Sequence, residues 1–550
     1  MSNRKSYLRV KCGKCSKTIR AEMIKRNYTF FLVGLLLQLT TVLLADFRES
    51  SINLPSAAEA VETRFDVDGD GLNDLVYVFH RRILIFFQQN NGIFPPTPSL
   101  DVGGTQPLPA DIALISVGKV TTAPGCQLVF ARPSGVDALP VRKEALTTTE
   151  KNIDASLIPI LRKPIDVTPE VNLRFADFAY DLDGDGKSEL ILPSSHYLEV
   201  YQPDGSFRYR LKSRVSLPFA TAQYAYFRRE PDLLGMPLVQ ERLNSDIVRL
   251  PLRHGHWYGI DYAVESTSRP FLACDFNSDK LVDFITRDAV FFQTEKGEFR
   301  SQAAKVYDRI ATAFGVYKNQ VVLAPNLLDL NGDGRLDTFN VNVSATKLTP
   351  RTDVQVFLGK EDGSFGDKPD FTLHTRDIAY SELLPLGDVN GDGALDLALF
   401  HLDFQPQTME SQLRAYLKNG LDGELRFYLW DKQRNRFLDV FSFKHRVLVN
   451  YEIYGARQLF QQQVFINHDM DGDGLVDLVL KTGPREISCF KNLGGTKGFA
   501  SKPFAVIHTP RAFSSFLVRD MNGDKKGDIL VSGYEDALED RTIYSFYMNR

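Results

Sequence analysis

The sequence predicts an all-β chain built from repeated four-stranded antiparallel units. Three observations carry that expectation. A nine-residue acidic loop recurs seven times in 550 residues. Each copy runs into a short apolar segment such as LVYVF, LILP, LALF or LVLK, bounded by turn residues in the manner of a strand. A Gly-Phe or Gly-x-Phe mark follows most copies. Internal repetition of this kind signals a repeat architecture, and four antiparallel strands per unit repeated radially make a β-propeller.

The loops come first because they set the period. In order they are DVDGDGLND, DLDGDGKSE, DFNSDKLVD, DLNGDGRLD, DVNGDGALD, DMDGDGLVD and DMNGDKKGD, starting at Asp66, Asp181, Asp275, Asp329, Asp388, Asp469 and Asp520. The closest starts lie about fifty-five residues apart, so the long interval from Asp66 to Asp181 should contain a further unit. Gly118 to Val129 (GKVTTAPGCQLV) lies without gaps over Gly387 to Ala398 (GDVNGDGALDLA), with Lys119, Thr121, Ala123 and Gln127 at the four acidic or amide positions. The strand pattern survives there without the ligands. Eight units result, seven blades being the alternative count.

The Gly marks are Gly92-Ile-Phe94, Gly205-Ser-Phe207, Gly297-Glu-Phe299, Gly363-Ser-Phe365 and Gly498-Phe499. They predict a tight turn with Gly at positive φ, followed by an aromatic that opens the next strand. Each unit then runs strand, acidic loop, strand, crossing, strand, Gly turn, strand. The last unit ends at Tyr544 to Arg550, which has the pattern of a third strand, while the segment after Asp46-Phe47 (SSINLPS) has that of a fourth. An N-terminal strand completing the last blade would cover two otherwise open sheet edges.

The chemistry of D-x-[DN]-x-D-x-x-x-D is that of an oxygen-only shell. Positions 1, 3 and 5 offer side-chain oxygens, position 7 a backbone carbonyl, and position 9 a carboxylate able to bind through both oxygens. Such a set suits Ca²⁺ better than Mg²⁺. The expected ligands are Asp66, Asp68, Asp70 and Asp74; Asp181, Asp183, Asp185 and Glu189; Asp275, Asn277, Asp279 and Asp283; Asp329, Asn331, Asp333 and Asp337; Asp388, Asn390, Asp392 and Asp396; Asp469, Asp471, Asp473 and Asp477; and Asp520, Asn522, Asp524 and Asp528. Up to seven structural ions are expected. Lys280 and Lys525 stand at position 6, where glycine is usual, and make those two turns less comfortable.

With these residues on the page, the chain resembles the FG-GAP/VCBS repeats of integrin-α-type propellers and of many exported bacterial proteins. The resemblance spans about residues 46–550. It implies a calcium-bearing propeller, commonly of seven blades, serving adhesion, glycan binding or protein binding. The eight units and the ligand-free one depart from that pattern.

Compartment and partners are read from the rest. Residues 1–45 carry nine basic residues against one acid, Glu22, and Phe30 to Ala45 is an apolar run preceded by Lys25 and Arg26. This is the form of a signal peptide, with a retained anchor as the alternative and Met23 as a possible start. The chain is therefore expected to be secreted, periplasmic or at the cell surface. The near balance of 65 basic and 69 acidic residues argues against nucleic acid. The five cysteines are too scattered for a disulfide framework.

Two insertions are expected after fourth strands, at about 213–270 and 431–463, projecting from the end opposite the ions. His254, His256, Trp257, Tyr258 and Trp430 are the candidate ligand-face residues there. No catalytic motif is found, so the function expected is a binding or adhesion module for a glycan or a protein. A polysaccharide hydrolase or lyase, or a passive envelope scaffold, on the same fold are the alternatives.

Overall fold

The computed structural model describes residues 47–55, 60–104, 108–141, 156–165, 167, 169, 173–193, 197–205, 207–216, 222–225, 248–249, 263–266, 271–275, 277, 279–286, 290–295, 298–299, 316–317, 320–321, 327–344, 351–361, 365–377, 386–402, 420–450, 464–483, 485–510, 513–533 and 541–549. The basic segment and apolar run of 1–45, and the residues His254 to Tyr258, lie outside them.

The described chain is all-β, with almost no helix. Its larger sheets follow the eight units in order. The first unit pairs Ala60–Phe65, Asp74–Phe79, Arg82–Phe86 and Leu100–Val102, each antiparallel to the next. In every unit the acidic loop joins the first strand to the second. Position 9 opens the second strand at Asp74, Glu189, Asp283, Asp337, Asp396 and Asp528, and Asp477 immediately precedes it in the seventh unit. The ligand-free unit obeys the same plan. Leu114–Gly118 and Gln127–Arg132 flank its loop, with Gln127 at position 9.

Two sheets carry a strand added to the four-strand plan. The second sheet has a fifth strand, Arg174–Phe175, parallel to Leu114–Gly118. In the fourth sheet Val248–Arg249 pairs with the first strand, Phe271–Cys274. Ala222–Ala225 and Ala263–Ser266 pair antiparallel, so the two ends of the first insertion are zipped together.

The last sheet joins the two ends of the described chain. Arg48–Pro55 is its fourth strand, antiparallel to Arg541–Met548 from Arg48 opposite Met548 to Pro55 opposite Arg541.

The core lies between successive sheets. Second strands are buried on both faces, and side chains alternate between the two neighbours because the strand period is two. Leu75 and Tyr77 face the eighth sheet, where they join Tyr544 and Phe546. Val76 and Val78 face the second, where they join Val117 and Phe130. Further along, Phe339 and Val356 of the fifth sheet meet Leu399 and Tyr428 of the sixth. Phe400 and Phe427 of the sixth meet Leu480 and Phe490 of the seventh, and Val479 and Cys489 of the seventh meet Val518 and Ile529 of the eighth.

The Gly marks turn as expected, with φ of 80° at Gly92, 92° at Gly205 and 69° at Gly498. Phe299 lies in the strand that follows its turn, Glu298–Phe299, whereas in the first unit the aromatic does not open the fourth strand. Phe94 precedes Leu100–Val102 and is buried, its ring 4.8 Å from that of Phe546. The apolar ring fills the gap between sheets before the chain regains an extended, pairing conformation.

The second insertion also differs from expectation. Trp430–Asp431 and Arg436–Phe437 form a small hairpin between the third and fourth strands, and Phe443–Asn450 is the fourth strand itself. Residues 431–450 therefore belong to the unit, and only residues beyond Asn450 can be inserted after the fourth strand.

Candidate functional site

The acidic loops are built by one recurring hydrogen-bond pattern. The position-1 carboxylate accepts from the position-6 backbone N–H in all seven, at 2.6–2.9 Å, as Asp66 does from Gly71 and Asp520 from Lys525. The position-5 carboxylate accepts from the position-7 N–H at 2.8–3.0 Å. These Asx-type turns need positive φ. Gly69 and Gly71 take it at 83° and 90° without cost, whereas Lys280 and Lys525 take it at 69° and 71°.

Position 9 does more than the sequence implied. Asp74, Asp337, Asp396, Asp477 and Asp528 each accept backbone N–H bonds on both oxygens, Asp74 and Asp396 taking a third from position 3 at 3.3 Å. One comes from position 2 of the loop, for example Val67 to Asp74 at 2.8 Å and Met521 to Asp528 at 2.8 Å. The other comes from the end of the third strand, from Gln88, Gly359, Trp430, Asn492 and Asn549 at 2.7–2.9 Å. A carboxylate so engaged ties loop to strand, and a bidentate grip on an ion is not what its geometry favours.

Glu189 is the exception, and its cause is visible. Pro203 stands two residues beyond Tyr201, the partner of Leu190, where Gln88 stands two beyond Phe86, the partner of Leu75. Proline has no N–H to give. Glu189 accepts from Leu182 at 2.8 Å through Oε2, while its Oε1 is buried with no hydrogen-bond partner. Oxygens of Asp181, Asp183 and Glu189 lie within 4.8 Å of one another, as do those of Asp66, Asp68 and Asp70, and those of Asp469, Asp471 and Asp477.

Such groups repel unless positive charge lies between them. Burial pushes Asp74, Asp337, Asp396, Asp477 and Asp528 up to about 7, and Glu189 up to about 8, against the pull of their N–H donors. An orphaned buried oxygen facing two carboxylates fits a hard divalent cation, whose ligands are oxygens. The loops at Asp275, Asp329, Asp388 and Asp520 carry an asparagine at position 3 whose amide donates to position 5, as Asn390 does to Asp392 at 2.9 Å. In the seventh unit the Lys491 ammonium bonds Asp471 and lies 2.8 Å from Asp473. Lys432 likewise bonds the backbone carbonyl of Asp392.

The ligand-free loop closes on itself. Gln127 Oε1 accepts from Val120 and Thr121, both at 2.9 Å, and its Nε2 donates to the Gly125 carbonyl at 2.8 Å. The amide carries both signs of partial charge, so this loop holds its shape with no cation.

Successive loops are also bonded to each other. Backbone N–H groups at position 8 donate to the preceding loop from Cys126 to Asp66 at 2.7 Å, Ser188 to Lys119 at 2.9 Å, Leu395 to Leu330 at 2.8 Å and Gly527 to Asp469 at 2.9 Å. Side-chain amides at the third-strand end do the same. Asn492 donates to Val389 at 2.8 Å, Asn549 to Met470 at 2.6 Å and Gln293 to Leu182 at 3.4 Å. Gln88 of the first unit donates to Met521 of the eighth at 3.4 Å. Sequence reasoning missed these four amides.

Trp430 is not a ligand-face residue. It is 3% exposed, packed edge-on to Phe437 with ring centroids 4.8 Å apart and to Phe371 at 5.5 Å, and it lies at the loop end of its sheet beside Asp396. At the other end of that sheet, Asp377 binds His401 at 2.8 Å, Arg426 at 3.0 Å and Tyr428 at 2.6 Å. Glu424 binds Arg426 at 3.1 Å and Lys444 at 2.6 Å, and these bonds hold it below the usual carboxylate range.

Residues 329–399, the fifth unit and the start of the sixth, match the FG-GAP-like repeat family. No curated protein matches the chain. Among solved structures the chain is similar to an Agrocybe aegerita lectin that recognises non-reducing terminal N-acetylglucosamine, at 13% identity over 90% of this chain and 86% of that one, with a TM-score of 0.33. It is similar to BBS1N in complex with ARL6DN, at 10% identity over 90% and 97%, with a TM-score of 0.29. It is also similar to the V. cholerae biofilm matrix protein Bap1, at 10% identity over 90% and 70%, with a TM-score of 0.22.

Proposed function

We propose that this chain, which carries an FG-GAP-like repeat at 329–399, is an exported, calcium-stabilised β-propeller of eight units that serves as a binding or adhesion module. The observation that carries the ring is the Gln88 bond to Met521. It repeats across the chain ends the link that Asn492 and Asn549 make between neighbours within the chain. The pairing of Arg48–Pro55 with Arg541–Met548 supports the same closure.

Calcium enters through the oxygen sets of the loops. Asp181, Asp183 and Glu189 would hold one ion, with Asp185 beside them, and the corresponding residues of the other six loops would hold up to six more. The ion would neutralise carboxylates held close together by the turns. Its part is structural, because the loop's own atoms fill most of the shell.

The binding role rests on the repeat family and on a rigid scaffold carrying a long excursion whose base is zipped by Ala222–Ala225 and Ala263–Ser266. That excursion contains His254, His256, Trp257 and Tyr258, the residues we assign to a glycan or protein ligand. An enzymatic reading draws less support. Lys444 and Arg426 hold the Glu424 carboxyl below the usual carboxylate range, so it is not poised as a proton donor, and Asp377 is ion-paired with Arg426. No helix among the described residues is long and apolar enough to cross a membrane.

A glycan array probed with the full chain, in calcium and in EGTA, tests the role. Calcium-dependent capture of a defined glycan class supports it. Release of shortened oligosaccharides from a polysaccharide, with no retention on the array, would overturn it.

A further inference from the structure

We propose that the cation loops are energetically coupled to their neighbours through the third-strand amides, so that filling one loop raises the affinity of the loop before it. The inference rests on the calcium reading above and adds to it a role for residues outside the ligand set.

Asn492 shows the linkage most simply. Its backbone N–H donates to Asp477, position 9 of its own loop, at 2.8 Å. Its side-chain amide donates to Val476 of the same loop at 2.9 Å and to Val389 of the preceding loop at 2.8 Å. Val389 is position 2 there, between Asp388 and Asn390, and its own N–H is bonded to Asp396 at 3.0 Å. One residue thus touches a ligand carboxylate of one loop and the peptide that separates two ligands of the next.

A cation that draws in Asp477 fixes the Asn492 backbone, which fixes the amide, which orders Val389. The second ion then finds part of its ordering cost already met, and coupling of this kind is a free energy shared by both sites. Asn549, Gln293 and Gln88 repeat the arrangement at three other junctions. Gly359 occupies the equivalent place in the fifth unit, donating its N–H to Asp337 at 2.8 Å, and has no side chain to reach the fourth. The coupling is therefore reciprocal between the two loops of a junction and lacks its amide at Gly359, at Trp430 in the sixth unit and at Pro203 in the third.

Hydrogen-exchange protection of residues 388–396, followed against free Ca²⁺ in the full chain, measures it. Asp473→Ala disables the seventh loop. It should raise the calcium midpoint of 388–396 by about fivefold or more. In an Asn492→Ala background the same substitution should leave that midpoint in place, and Asn492→Gln should restore the response, since Gln88 and Gln293 make the same link.

A junction with a different sequence guards against a variant that fails to fold. Asp70→Ala should shift the midpoint of 520–528, and Gln88→Ala should remove the shift. If calcium protects both loops of a pair but each midpoint ignores the other loop, the coupling is overturned and the calcium reading stands. If calcium protects neither loop, both fall.

Discussion

At the scale of the residue, the repeats are not equal, and single side chains say why. Lys525 takes φ of 71° at a position where glycine is at ease. A left-handed conformation costs a residue with Cβ about 1–2 kcal/mol, offset in part by the greater chain entropy a glycine loses. Lys525→Gly should therefore stabilise the protein by about 0.5–1 kcal/mol, read from urea unfolding. Lys491 acts on charge instead. Its ammonium sits against Asp471 and Asp473, where it would compete with the proposed cation. Removing a unit charge about 4 Å from a divalent ion is worth ~2 kcal/mol in water, so Lys491→Met should tighten calcium at the seventh loop about thirtyfold, read by exchange protection of 469–477. An unchanged midpoint would show that the ammonium swings clear of the ion.

At the scale of the element, the position of each acidic loop between first and second strands was legible in the sequence because its determinants are local. Asp and Gly at fixed offsets specify the turn, and an apolar run comes directly after. The ligand-free loop was legible for the same reason, since the strands around Gln127 kept their pattern. The amides were not. Gln293, Gln88, Asn492 and Asn549 come after their position-9 partners by 10, 14, 15 and 21 residues, because the hairpins between vary in length. No fixed spacing marks them. Trp430 was misjudged from rarity, although large aromatics are more often core than contact. His445 shows what burial does inside such an element. It is 6% exposed, edge-on to Phe490 at 4.6 Å, and burial pushes it down to about 4. A buried neutral histidine contributes its full stability above its ordinary pKa near 6.5 and loses it as pH falls towards about 4. His445→Phe should remove up to about 3 kcal/mol of the stability lost between pH 7 and pH 4, measured as the difference between the two proteins' denaturation curves. Equal pH profiles would place the histidine in contact with water.

At the scale of the whole molecule, the sheets follow one another with cores between them, and the eighth meets the first as the others meet their neighbours. Phe546 and Tyr544 of the last sheet pack on Phe94 and Tyr77 of the first. Phe546→Ala should cost about 3–5 kcal/mol, as a core aromatic does, and should lower one cooperative transition rather than free the chain ends alone. The sequence pattern of the ends anticipated the pairing of Arg48–Pro55 with Arg541–Met548. It could not anticipate that the acidic loops would themselves be bonded in succession, because those bonds run between backbone groups and variable amides. The repeated loops remain the feature on which the proposed calcium-stabilised ring depends. Elemental analysis of calcium in the full chain, equilibrated with calcium and freed of unbound ion, tests them most directly. Seven ions per chain are predicted, one for each acidic loop in the sequence and none for the loop closed by Gln127. A chain that carries no calcium would contradict the account.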